Sequence, residues 1–550
     1  MALLPWLAVG AMLALLALLG RVGRPLALPG IERALAARAA PPAAGLVVAI
    51  VTVWTWGSLD EPGVYHDEIA YRVQAEIFAS GRLAGPPAPA LEFFEQFHVL
   101  VSPRLAPKYL PGHALVLVPG VWIGLPGLVP VALAGLSGGM LFALSRRLAG
   151  GWVAALATLL WLTAPAGLAW RATYFSQSTS TAAWLAAAWA LLEWVERGRP
   201  RHLAAVGALL GWCAITRPLT ALALALPFGV VVLALAVRRR SFGSLAPALA
   251  AGGLVIAMVA PFNAAATGSP WVLPYSVYTK LHIPWDHMGF GFDPTPPLRD
   301  PTPEMAAFTE FFRPIYAAHT REALPGALVA RAVSSARDTW STAGVGWDWR
   351  APLSLLALVA IPSMGRAGLF GLASVASLLL AYLVYAHGDY WTLYYQETQP
   401  VLAYLTALGA SRLFGWAARG EAPASPGALP ARAVAPMTLF LLCALALGAT
   451  GAAAVRERIA ARSAYQRHAA RLFGRIPEPR AVVFIRYAPD HSPHWTLVRN
   501  PPDHARARLW LVHDRGEDNR RLLALAPDRV PYLFDEASFT LYRMTGRAGS

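Results

Sequence analysis

Apolar runs of about 17–25 residues, the length a helix needs to cross the hydrocarbon of a bilayer, recur along almost all of this 550-residue chain. No soluble fold of this size has interior enough for so many. Only 14% of the residues are charged, against about 25% in an ordinary soluble domain. The formal charge of +15 taken alone suggests a nucleic-acid partner. Its Arg residues, however, gather at the ends of the apolar runs. The chain reads as an all-α polytopic membrane protein, and nucleic acid drops out.

Residues 2–19 are apolar with no basic residue before them, and Arg21, Arg24, Arg33 and Arg38 follow. A cleaved signal peptide carries its charge first, so this run is expected to remain as a span with its N-terminus outside. About twelve spans are expected: 2–19, 43–57, 127–144, 152–168, 181–195, 203–215, 219–237, 245–262, 352–362, 368–386, 401–414 and 434–451. Residues 112–123 are too short and Pro-interrupted to span, and read as a helix at the outer interface. Short cytoplasmic loops carry the Lys/Arg excess. With this topology the inside loops hold 16 basic residues, from Arg21 to Arg432, against four acidic ones, Glu32, Glu193, Glu196 and Glu421.

Three long polar segments, 58–109, 263–350 and 453–550, then fall outside. The chain divides into a membrane module, 1–452, and a small extracytoplasmic α/β domain, 453–550. In that tail, strands are expected at 481–486, 509–512, 530–534 and 539–542, and a helix at 518–525. Its His491, His494, His504 and His513 are expected at the surface. No inside loop is large enough for a nucleotide-binding domain, and neither a Walker-type loop nor a dinucleotide fingerprint occurs. Chemistry is therefore expected on the extracytoplasmic side, where an activated substrate must be delivered by the membrane. Cys213 and Cys443 each lie in an apolar run and are expected to pack. Two thiols make neither a disulfide framework nor a Cys-based zinc site. Neither metal nor cofactor is indicated; His282, Asp286 and His287 fit no strong ligand spacing.

The first outer segment opens with Tyr65-His66-Asp67-Glu68, then Tyr71. A carboxylate near a membrane surface is costly unless hydrated, paired or functional, and one here could take a proton from an acceptor hydroxyl. The plainer alternative is a helix start, with Asp67 as cap and Glu68 complementing the dipole. The segment ends with Pro107-Lys108-Tyr109-Leu110-Pro111. Lys108, one of only two lysines, stands where loop meets apolar helix. There it could hold a lipid phosphate or simply snorkel.

A loop Asp-Glu followed by Tyr, an interfacial helix opened by a Lys/Pro motif and a span ending in Arg146-Arg147-Leu148 resemble the C-type glycosyltransferase superfold. The nearest likeness is to family 39, the protein O-mannosyltransferase and aminoarabinose-transferase group. The resemblance covers residues 58–237 and continues through Thr267-Gly268-Ser269-Pro270 and Gly289-Phe290-Gly291. It implies Asp67 as catalytic base with Glu68 beside it, and Lys108 as a ligand of a polyprenyl phosphate.

Arg217 interrupts an apolar stretch of more than thirty residues and is a second phosphate candidate. Arg171, in the outer turn Trp170–Gln177, is a third. His66, Tyr71, Tyr174, His387, Asp389, Tyr395, Gln396 and Glu397 are the substrate-binding candidates, aromatics and polar tips that suit sugar faces and hydroxyls. The expected function is transfer of a sugar from a polyprenyl-phosphate donor to an acceptor hydroxyl of a glycan, lipid or protein, at the bacterial cytoplasmic membrane. A lipid or lipid-sugar flippase is the rival.

Overall fold

The apolar runs become helices that end where Arg, Gly or Pro breaks the run. The structure, a computed structural model, describes residues 4–340, 351–418, 429–492 and 494–544. The end of the polar segment 263–350, residues 341–350, and Arg419 and Glu421 lie outside the described residues. Among the described residues five helices are long and apolar enough to cross a membrane: Leu128–Ala149, Pro218–Arg238, Phe242–Thr267, Gly365–Val384 and Ala431–Arg462. Two bent pairs, Pro29–Ala36 with Ala40–Trp56 (86°) and Gly151–Leu162 with Pro165–Arg171 (71°), raise the number to seven if each is one span. The protein is an integral membrane protein.

That number is below the expected twelve, and the difference has a physical cause. Gln177–Arg197 and Gln399–Ala417 are long helices, but other helices enclose them. Their Ser180, Glu193 and Thr406 are buried against protein, so their mean hydropathy need not match that of a lipid-facing helix. Trp6–Val22, Pro200–Ala214 and Ser354–Ser363 are short.

Close helix crossings use small residues, as in other membrane bundles. A Cβ on Gly45 would stand 2.6 Å from the carbonyl oxygen of Gly135. Only glycine therefore lets Ala40–Trp56 lie so near Leu128–Ala149. Cys213 is buried as expected. Cys443 is exposed, a correction: it lies on the outward face of Ala431–Arg462.

Ala431–Arg462 runs unbroken through residue 452 and ends just before Ser463. After helix Ala464–Gly474 come the strands of its sheet. Two two-residue strands in segment 58–109 precede them, β1 (Val99–Leu100) and β2 (Ala106–Pro107). The tail sheet has β3 (Ala481–Arg486), β4 (Leu509–His513), β5 (Val530–Asp535) and β6 (Thr540–Arg543), in the order β4-β3-β5-β6. β3 is parallel to both neighbours, and β6 closes the sheet antiparallel. Successive side chains of a strand face opposite ways. Val483 and Ile485 pack with Phe473 of helix Ala464–Gly474, while Val482 and Phe484 pack with Phe93 and Phe94. Both faces are covered, which is why β3 reads as an unbroken apolar run.

Phe93 and Phe94 come from segment 58–109, so the tail is docked on that segment. Each fully buried ring contributes about 1.5–3 kcal/mol. His513 bonds the Glu95 carbonyl (3.0 Å) and faces Glu304 (3.3 Å). The surface expectation for the tail histidines is corrected: His504 and His513 are buried, and His491 and His494 are half-buried. Docking takes them out of solvent.

Candidate active site

The adjacent carboxylates Asp67 and Glu68 have opposite fates. Helix His66–Ala79 starts at Tyr65, its N-cap, with extended backbone (φ −89°, ψ 151°). Glu68 is the third helical residue and closes a capping box. Its Oε2 accepts the N–H groups of Val64 (2.9 Å) and Tyr65 (3.0 Å), and Oε1 accepts that of Tyr174 (3.0 Å). Glu68 is buried and its oxygens serve backbone donors. Asp67 does not cap the helix, because Tyr65 does. Its side chain keeps 39% exposure.

Asp67 Oδ1 accepts a 2.5 Å hydrogen bond from the Tyr109 hydroxyl. Nε2 of His98 stands 3.9 Å from Oδ2, beyond hydrogen-bond range. Burial and the charge of Lys108 hold the His98 imidazole well below its ordinary pKa, so it is neutral beside Asp67. Burial and the Asp67 charge push the Tyr109 hydroxyl well up, so it remains a donor. Tyr109 stacks on Tyr71 at 4.6 Å, and Tyr71 donates to Ser176 (3.0 Å).

The short pair β1–β2 sets Lys108 opposite His98, with a 2.8 Å bond from the Lys108 N–H to the His98 carbonyl. Lys108 Nζ lies 2.8 Å from Asp286 Oδ2, and both side chains are buried. Asp286 Oδ1 also accepts from Tyr316 (2.8 Å) and Tyr385 (3.1 Å). Burial works against the Asp286 anion, but the charge and hydrogen bond of Lys108 outweigh it and hold the carboxyl below its usual range. The ammonium also lies 4.6 Å over the Tyr275 ring. Lys108 thus carries its own counter-ion and an aromatic collar. Asp286 faces Lys108 while His282 faces Glu95 (3.1 Å), so these two share no ligand position.

Arg217 stands at the break between Pro200–Ala214 and Pro218–Arg238. Gly112 locks that break to the end of segment 58–109: its N–H bonds the Ile215 carbonyl at 2.7 Å. A Cβ there would meet Thr216 Oγ1 at 2.4 Å. The guanidinium donates to Thr220 (3.1 Å) and to the Tyr382 hydroxyl (2.8 Å), with Glu397 at 3.9 Å. Glu397 is buried and accepts from Ser180 (2.5 Å). It serves as counter-charge to Arg217.

Tyr394 joins these groups. Its ring lies 5.9 Å from the Arg217 guanidinium. Burial and then the charge of Asp67 push its hydroxyl up, with Arg217 and Asp286 also within electrostatic reach. Its neighbour Tyr395 is buried and bonds His387 Nε2 (2.9 Å). His387 also bonds the Gly388 carbonyl (2.9 Å) and is buried. Asp389 binds Arg331 (3.1 Å). Gln396 lines a separate cavity of about 30 Å³ with Arg171 and Gln177, room for one water.

Two other candidates are buried with backbone partners. Arg171 is buried and donates to the carbonyls of Trp161 (3.0 Å) and Leu162 (2.7 Å) at the end of helix Gly151–Leu162. Tyr174 is fully buried, with its hydroxyl on the Glu61 carbonyl (2.9 Å). His66 is buried against Phe97 (4.2 Å). Asp67, Tyr71, Lys108, Arg217 and Glu397 are the sequence candidates that gather in one region. Tyr109, His98, Asp286, Tyr382 and Tyr394 join them unforeseen. Tyr109 adjoins Lys108 in sequence and Tyr394 adjoins Tyr395, so adjacency was the available signal. The turn Thr392–Thr398 is irregular at Tyr395 (φ −119°, ψ 21°), and no periodicity decides which tyrosine faces inward.

Comparison with known proteins adds the following. A family model described as dolichyl-phosphate-mannose-protein mannosyltransferase matches residues 124–264. No curated protein matches the chain in sequence. The crystal structure of ArnT from Cupriavidus metallidurans bound to undecaprenyl phosphate matches over 90% of this chain and 90% of its own, at 17% identity and a TM-score of 0.50. The apo form of the same protein matches over 81% and 82%, at 16% identity and a TM-score of 0.48. At such identity the likeness is one of fold: this chain shares the fold of the undecaprenyl-phosphate-bound ArnT structure.

Proposed function

We propose that this membrane-embedded C-type fold transfers a sugar from a polyprenyl-phosphate donor to an acceptor hydroxyl, with Asp67 as general base. The observation that carries this is Asp67 itself: a part-exposed carboxylate beside Tyr109 and His98, with Arg217 in the same cluster. The matched family model is described by a polyprenyl-phosphate donor, and the matched ArnT structure holds a polyprenyl phosphate. Arg placement supports an active face outside the bacterial cytoplasmic membrane.

In the proposed reaction the acceptor oxygen attacks the anomeric carbon while its proton passes to Asp67. The bond from that carbon to the phosphate oxygen breaks, and polyprenyl phosphate leaves with the bonding pair. Its growing charge is met by Arg217, whose fork of donors suits phosphate. Lys108 adds a second positive charge, moderated by Asp286. The donor arrives already activated, so no metal or cofactor is assigned.

The test is transfer by the purified chain in lipid, with a labelled polyprenyl-phosphate sugar and lipid, glycan and protein acceptors. Loss of a general base costs about 10²–10⁴-fold, so Asp67→Asn should lose that much with unchanged unfolding temperature. Full activity in Asp67→Asn would remove the assignment. Movement of lipid across the bilayer without transfer would replace the enzyme reading with a flippase.

A further inference from the structure

A second polar cavity lies behind helix His66–Ala79. It has a volume of about 570 Å³ and is walled by parts of the segments 58–76 and 467–501. At about 100° per residue, Arg72 and Glu76 stand about 140° and 180° around the helix from Asp67, so the cavity and the candidate active site use opposite faces. Ser58 and Asp60 come just after helix Ala40–Trp56, and Arg471 comes one short helix after Ala431–Arg462. The cavity thus sits where the chain leaves its apolar helices.

Its charges are incompletely matched. Arg72 pairs with Asp60 (3.8 Å) and donates to the Glu61 carbonyl (3.1 Å). Arg467 pairs with Glu61 (2.7 Å). Among the described residues Arg471 and Arg499 make no hydrogen bond or ion pair. Glu76 is the remaining carboxylate, and burial raises its pKa, which weakens it as a counter-ion. Burial and the charge of Arg72 push the Arg499 guanidinium down to about 10. A half-buried guanidinium offers five N–H donors, and leaving them unmet away from water is costly. An oxyanion would satisfy them in pairs.

We propose that this cavity binds a phosphate-bearing group, gripped by Arg499 and Arg471 with Arg72 behind them, separately from the donor-phosphate site. Because its walls come from both the Asp67 helix and the tail domain, an occupant would tie the two together. A ligand that binds only the folded state raises stability.

The experiment uses the full chain purified in detergent, followed by thermal unfolding and calorimetric titration. One arm adds inorganic phosphate, the other dihexanoyl phosphatidic acid. Saturable binding is expected in at least one arm. Arg499→Gln and Arg471→Gln should each weaken it about tenfold, the loss of a charge-assisted hydrogen bond. Asp60→Asn should tighten it by freeing Arg72, a gain that misfolding cannot imitate. Arg217→Met should leave it unchanged. Binding in both arms marks a free-anion site, and binding of the lipid alone marks a headgroup site. If neither probe binds, or both Arg substitutions leave affinity untouched, the proposal is overturned. Should Arg499→Gln fail to fold, Arg471→Gln, on an exposed helix position, carries the test.

Discussion

Lys108 and Asp286, 178 residues apart in sequence, meet in a 2.8 Å ion pair with both side chains buried. Breaking a buried pair from one side leaves an uncompensated charge, at a cost of about 3–5 kcal/mol. Asp286→Ala should therefore lower the unfolding midpoint in detergent sharply. The double variant Lys108→Met with Asp286→Leu should cost less than either single change, because no charge is left behind. Equal or additive losses would mean that the pair is not coupled.

Glu68 and Asp67 should separate in their effects. Glu68→Gln replaces an acceptor of backbone N–H bonds with an NH₂ group on one side, and an unsatisfied buried donor costs about 1–3 kcal/mol. Thermal unfolding should show that loss, with transfer rates falling less than in Asp67→Asn. The reverse pattern would return Glu68 to the catalytic set.

Arg217 should act on the donor. Arg217→Met removes the charge and the donors to Thr220 and Tyr382, and leaves Glu397 buried without its cation. Arg217→Lys keeps the charge but lacks the planar fork. Transfer assays should find both variants impaired, Met more than Lys. The Lys variant should show its loss mainly as a raised KM for the lipid donor.

Docking of the tail should be acid-sensitive through Glu304. Burial works against its charge, but hydrogen bonds and charges from His513 and Arg515 hold its carboxyl well below the ordinary value. A depressed folded pKa stabilises fully above the unfolded value of about 4.3, and that share is lost as pH falls toward the folded value. Unfolding measured from pH 7 to pH 3 should show this loss. Glu304→Gln should be less stable at pH 7, by about 1–3 kcal/mol, and less sensitive to acid.

The spacing of apolar runs and the Arg, Gly and Pro residues that end them determined the helices by themselves. Short apolar runs likewise marked β3, β4 and β5, because strand and helix patterns are local. Asp67 was legible as a carboxylate at a loop start. Span number was less legible, since Gln177–Arg197 and Gln399–Ala417 are surrounded by protein and do not carry a lipid-facing composition. Only the tertiary structure decided which neighbour is buried against backbone donors and which keeps an exposed carboxylate. Glu68 is occupied by the N–H of Tyr174, 106 residues away, while Asp67 is met by Tyr109, 42 residues away. Lys108 was visible, but its counter-ion was not, and neither were the guanidiniums of Arg471 and Arg499 beside Arg72. Charge compensation is a matter of distance in space, and no local pattern along the chain encodes it.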